Sequence, residues 1–292
     1  MPGRAVARQT DVDGRTWGTG GRARAGRRTA DRWSARAAPM TPEQIAAASK
    51  PMVLDIGDAF TRCPVTLRRA RLLGISGWAF YVTGRAGVLG DVRAETAAAA
   101  LGFLAPDAVA DGWEGAARTV RPSEVAAATL AECCRWGSEN LDDAPRVERL
   151  VNLLERTVHA ADGSGLPLFA AGRAMPVPGR SAGARAAAAL RLLREYFTGA
   201  YLLAVRASGM TPREAVLAGP EGEAGAMACG WPPPYPPVGP LVRRRLWAEA
   251  VTDRLAAPAF GALGPVDGVE LVDLLAAVRA HLGTAVRSHP AA

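Results

Sequence analysis

The stretch Trp78-Ala-Phe-Tyr-Val-Thr-Gly-Arg-Ala-Gly-Val-Leu-Gly-Asp91 decides how this chain is read, because it returns about ninety residues later. Leu168-Phe-Ala-Ala-Gly-Arg-Ala-Met-Pro-Val-Pro-Gly179 repeats the apolar lead-in, the Gly-Arg-Ala corner and the closing glycine. The likeness extends downstream. Gly84 is followed by Arg93 and the run Ala97 to Leu101, and Gly172 by Arg185 and the run Ala186 to Leu190. Both copies read as helix, Gly-Arg loop, helix, with Gly84 as a left-handed cap. A repeat at one spacing predicts an internally duplicated helical scaffold, with coincidence in an alanine-rich chain as the alternative.

Composition agrees with helix. At 292 residues and 49% hydrophobic content, the chain has ample core for two ordinary domains or one large helical one. Alanine and leucine dominate, aromatics are only 6%, and the β-branched runs that strands prefer are scarce. The expectation is an all-α, multi-helical protein with two related halves, residues 40–162 and 163–292, divided at the turn Asp162-Gly-Ser-Gly165. Residues 1–39 are rich in arginine and glycine and lack apolar periodicity, so they read as a disordered leader. Met40 before Thr41-Pro-Glu-Gln44 looks like an alternative translation start.

The formal charge of +7 is unevenly spread. The leader holds nine arginines against three aspartates, which leaves +1 for the remaining body. That body lacks the overall positive charge that a broad phosphate-tracking face uses, although a local patch is compatible with it. An arginine-rich arm on nucleic acid is the functional alternative for the leader. Lys50 is the single lysine among 35 basic residues, which points to a GC-rich genome rather than to a chemical demand for guanidinium groups. No stretch has the 18 to 20 apolar residues of a membrane span, and the leader lacks a secretory apolar run, so a cytoplasmic location is expected.

Cys63, Cys133, Cys134 and Cys229 do not form a paired framework and read as reduced thiols. No Cys-x-x-Cys, His-x-x-x-His or Glu-x-x-His spacing occurs, and His159, His281 and His289 stand apart, so neither a metal nor a cofactor is expected.

Local signals place the helices. Thr41 is an N-cap with Pro42 at the first helical position, and one or two helices follow to Leu73 with a break at Cys63-Pro64. Further helices are expected over Ser76–Thr83, Val92–Leu104, Pro106–Trp113, Pro122–Trp136, Pro145–Ala161 and Ala182–Ala207. Thr211 caps a short helix to Leu217, residues 219–240 form an extended proline-rich loop, and helices over Leu241–Leu255 and Gly268–Leu282 close the chain.

Ala204 to Leu217 resembles a helix-turn-helix: helix, glycine turn, capped second helix. Its second helix offers Arg213 as the DNA-contacting side chain, and the bland alternative is an ordinary helix hairpin. Arg85 and Arg173 occupy matching corners and would suit a carboxylate or phosphate if they converged, or else each would cap a helix end. Arg194 and Tyr201 lie seven residues apart on one helix face, beside Glu195 and Tyr196. With Tyr81 they make up a candidate ligand-binding set: Tyr81, Arg85, Arg173, Arg194 and Tyr201.

The Gly-Arg-Ala segment at 81–90, Pro167-Leu-Phe-Ala-Ala-Gly-Arg-Ala-Met-Pro176, Leu193-Arg-Glu195, Gly230-Trp231 and Val251-Thr-Asp-Arg-Leu-Ala-Ala-Pro258 together resemble an actinobacterial family of SalK-like proteins. The resemblance runs over residues 45–282. It implies a helix-turn-helix protein, with some members accompanying secondary-metabolite gene clusters. Tyr201 stands where members often carry histidine, and residues 232–237 replace much of a wing segment, which weakens an acid-base role and DNA reading respectively. The function implied is a regulatory or ligand-binding protein for a small molecule, DNA or both. The alternative is a cofactor-independent enzyme of secondary metabolism with a pocket between the halves.

Overall fold

The chain's computed structural model describes residues 39–288, with side chains described to residue 283. The leader reading for residues 1–39 therefore lies outside the described residues but for its last position. Thirteen α-helices and three 3₁₀ turns make up the described chain, with no strand, so the protein is all-α and multi-helical.

The first helices follow their local signals. α1 (Pro42–Ala59) starts on a capping box in which the Thr41 hydroxyl accepts from the Gln44 amide and the Gln44 side chain accepts from the Thr41 amide. A 3₁₀ turn over Phe60–Arg62 precedes Cys63, and Pro64 opens α2 (Pro64–Leu72). α3 (Gly77–Ala86) is capped by Ser76. Next come a 3₁₀ turn at Gly87–Leu89, α4 (Ala94–Leu101), α5 (Pro106–Ala117), α6 (Pro122–Leu141) and α7 (Val147–Ala160). α7 buries Val147, Leu150, Val151, Leu154 and Val158, the stripe its periodicity predicts, and Leu153 beside them.

The remaining elements are α8 (Pro167–Arg173), α9 (Ala182–Ala207), α10 (Pro212–Leu217), α11 (Gly222–Ala228), a 3₁₀ turn at Gly239–Leu241, α12 (Val242–Gly261) and α13 (Gly264–Ser288). α9 is the axis of the body and packs against α1, α6, α7, α8 and α12. Alanine and leucine at 186, 187, 190, 193 and 200, together with Phe197, are buried along it, and the largest core cluster gathers around them. Small side chains let the neighbouring helix backbones come close, which is what the alanine-rich composition provides.

Four expectations are corrected. Gly84 is not a left-handed cap, because α3 continues helical to Ala86 and the positive φ of 79° belongs to Gly90. The reason is packing: a Cβ on Gly84 would stand 2.2 Å from Thr129 Oγ1, so the glycine marks a close crossing of α3 and α6. Gly172 likewise lies within α8, so both Gly-Arg pairs occupy the last turn of a helix instead of a loop. The stretch 219–240 is not wholly extended, since the Glu, Ala and Met content of 223–228 outweighs its glycines and forms α11. Finally, α12 runs through Pro258, where Ala256, Ala259 and Phe260 are buried, and α13 begins at Gly264.

Candidate functional site

Midway along α9, Arg191, Arg194 and Glu195 interrupt a helix whose inner side is otherwise mostly apolar. Residues three and four apart share a helix face, so these charges point together toward α1 and α3. Glu195 is 5% exposed. Its carboxylate accepts two parallel bonds from Arg85 at the end of α3, Nε to Oε1 and Nη2 to Oε2, both 2.8 Å. A fork of this kind is the strong form of a guanidinium-carboxylate pair.

The network spreads from there. Arg194 Nη1 donates to Glu195 Oε1 at 3.0 Å, and its Nη2 lies 3.0 Å from both the Tyr81 hydroxyl and Asp58 Oδ1. Arg85 Nη1 also donates to the Tyr81 oxygen, at 3.3 Å. Arg191, 4% exposed, donates from Nη2 to the Gly84 carbonyl at 3.0 Å. Burial by itself would push the Glu195 carboxyl up, but Arg85, with Arg194 and Arg191 behind it, outweighs burial and holds it at about 2. Arg85 in turn keeps its proton more firmly than a free guanidinium, because Glu195 and Tyr81 more than offset its desolvation. A carboxylate that stays ionised with both oxygens engaged ties helices together and is poorly placed to shuttle protons.

Beside this cluster lies an apolar cleft of about 450 Å³, bounded by α4, α8 and α9 and the turn before α4. Leu89, Val92, Ala99, Leu168, Phe169, Leu202 and Leu203 supply its walls, and Glu195, Thr96 and Thr198 are its polar points. Its size suits a small organic ligand. Glu195 is shared with a second, much smaller cavity on the other side, of about 20 Å³, which Tyr81, Arg85, Arg191 and Arg194 also line.

Of the five ligand-set residues expected from sequence, the structure brings Tyr81, Arg85 and Arg194 together. Arg173 does not join them. It donates to the Val158 and Ala161 carbonyls at the end of α7 and lies over the Phe169 ring. Tyr201 stacks on Phe103, with ring centroids 5.3 Å apart, in a separate cluster near α12. Neither residue lines either cavity. Sequence reasoning passed over Asp58, Arg191 and Glu195 as site members. The available signal was a trio of charges on one face of a helix whose other inward positions are apolar.

Past the cleft, α9 continues into the hairpin. Gly209, at φ +75°, turns the chain, and Thr211 and Glu214 form a capping box that starts α10. α10 is six residues long and buries Ala215 and Leu217. Arg213 donates to the Pro232 and Pro234 carbonyls and lies over the Tyr235 ring, so its guanidinium holds the proline-rich segment against the hairpin. By contrast Arg68, Arg69 and Arg71 on α2 are exposed and make no ion pair among the described residues.

The four cysteines are free. Burial pushes the Cys133 thiol up to about 12 and raises Cys134 as well, which leaves both unreactive. Among the described residues no group of His, Cys, Asp or Glu has the arrangement of a metal site, and no helix is long and apolar enough to cross a membrane.

A helical body with a capped hairpin at the end of its central helix is compatible with the helix-turn-helix class. Residues 55–234, more than half of the chain, match the helix-turn-helix family, and the chain belongs to it. Among curated proteins and solved structures nothing matches the chain.

Proposed function

We propose that this protein is a regulator that couples an apolar small molecule in the α4/α8/α9 cleft to DNA binding. One observation carries the reading: α9, which lines the cleft from Glu195 to Leu203, runs unbroken into the hairpin at Gly209. A continuous helix joining a pocket to the hairpin is a physical route for ligand occupancy to bias the hairpin. The resemblance to SalK-like actinobacterial proteins supports the regulatory class, and a cytoplasmic setting follows from it. On the DNA side, the unpaired guanidiniums of Arg68, Arg69 and Arg71 are better available to phosphate than Arg213, which is engaged within the fold.

The test has two arms. Binding of an environment-sensitive apolar dye such as Nile red should be saturable in the native chain and abolished in Ala99→Trp, whose indole enters the cleft from an exposed position. Fluorescence anisotropy on duplex DNA across a salt series, for the full chain and for residues 40–292, should show salt-dependent binding in both. Replacing Arg68, Arg69 and Arg71 with alanine should lower the log-log salt slope by about 3, one for each phosphate no longer neutralised. DNA binding confined to the full chain would assign it to the leader and remove the regulatory reading from the body. Dye binding that Ala99→Trp leaves intact would remove the cleft.

A further inference from the structure

The small cavity among α1, α3, α6 and α9 has more hydrogen-bond donors around it than free acceptors. Its volume of about 20 Å³ is enough for one water-sized occupant, since about 10–15 Å³ suffices for a water. Each carboxylate beside it already faces a guanidinium. Glu195 Oε1 takes bonds from Arg85 and Arg194, Oε2 takes one from Arg85, and Asp58 faces Arg194 and Arg62. The Thr129 hydroxyl donates to the Val125 carbonyl, and Thr61 to the Asp58 carbonyl.

Donors, in contrast, are left over. The Tyr81 oxygen accepts from Arg85 and Arg194, so its own hydroxyl proton remains to be given, and no acceptor takes it among the described residues. Arg191 uses one nitrogen on the Gly84 carbonyl, makes no ion pair among the described residues, and is 4% exposed. The carbonyl end of α3 offsets part of its charge, but a helix terminus amounts to about half an elementary charge. Three guanidiniums, those of Arg85, Arg191 and Arg194, thus share the site with two carboxylates, those of Asp58 and Glu195. A buried cation without a counter-charge is costly, whereas a pair with hydrogen bonds is tolerated.

We propose that this cavity is a binding site for one small monovalent anion of chloride size, held by the Arg191 guanidinium and the Tyr81 hydroxyl. Water would accept the spare hydrogen bonds but leave the excess positive charge in place. An anion answers both. The small volume suits a single-atom ion better than a phosphate or an organic carboxylate. The bound anion joins α3 to α9 one turn away from the cleft, so this inference is independent of what the cleft binds.

The experiment is thermal unfolding of the full chain in sodium chloride and in sodium gluconate at matched ionic strength. The native chain should show a midpoint that rises with chloride by a few degrees and saturates, with no such rise in gluconate. Arg191→Gln should erase the difference between the two salts. Tyr81→Phe should raise the half-saturating chloride concentration about tenfold, the loss of one hydrogen bond to a charged partner. Because Tyr81→Phe keeps every guanidinium, it carries the test should Arg191→Gln fail to fold. Equal midpoints in the two salts for the native chain overturn the proposal in favour of water. A chloride effect that persists unchanged in the variants overturns it too, as an adventitious ion only.

Discussion

The two Gly-Arg-Ala turns, at 84–86 and 172–174, start from the same three residues in the last turn of a helix and reach different ends. Arg85 is drawn into the core, where it forks onto Glu195 with 8% of its surface exposed. Arg173 stays exposed, donates to two carbonyls at the end of α7 and covers the face of Phe169. The partner on the central helix makes the difference. α3 packs on α5 and α6, from where the Arg85 side chain reaches Glu195 on α9, whereas α8 packs directly on α9 with the end of α7 near Arg173. A tripeptide therefore sets what a side chain can do, and the neighbouring helix sets what it does.

The largest effect should follow from unbalancing the first turn. Glu195→Gln leaves Arg85 buried without its carboxylate and should cost about 3–5 kcal/mol in urea unfolding. The same group makes stability depend on acid. Its carboxyl titrates at about 2 in the folded chain against 4.5 as an ordinary glutamate, so the unfolded chain binds the proton more readily. The contribution is therefore fully present above pH 4.5 and is lost as pH falls from there toward 2, by an amount on the order of 3 kcal/mol. Urea midpoints between pH 5 and pH 2.5 should fall more steeply for the native chain than for Glu195→Gln. Parallel slopes would mean that Glu195 is not held ionised.

Next comes the crossing that places Arg85. Gly84→Ala puts a methyl 2.2 Å from Thr129 Oγ1, and overpacking of this kind costs about 1–3 kcal/mol. Thr129→Ala in the same chain removes the nearest atoms and should recover part of the loss, a coupling that a double-mutant cycle measures. Gly84→Ala without any loss would mean that the crossing yields easily. The second turn should be the least sensitive. Arg173→Ala removes hydrogen bonds to two carbonyls at the end of α7 and one cation-ring contact, for about 1 kcal/mol. A loss as large as that of Glu195→Gln would erase the contrast between the turns.

Much of the fold was legible because its signals are local. Thr41-Pro42, Pro64, Ser76, Pro106, Pro122, Ser181 and Thr211-Pro212 all stand at helix starts, and Ala182–Ala207 is the central helix over its full length. α11 was missed because two glycines and the prolines around it mask a short helix-forming run. At the site, Tyr81, Arg85 and Arg194 were legible as polar residues on apolar helices, while Asp58 and Arg191 were not, since nothing near them in sequence marks their partners.

The sequence by itself determined an all-α chain, the positions at which most of its helices begin, and the hairpin after Ala207, because capping hydroxyls, prolines and 3.6-residue periodicity act within a few residues. Only the tertiary structure decided that Gly84 is a helix crossing rather than a cap, that Arg85 and Arg173 part company, and that Glu195 joins a buried ion cluster to an apolar cleft. Those outcomes depend on which helix arrives opposite, and pairings such as Arg85 with Glu195, 110 residues apart, are fixed by packing that no local stretch encodes.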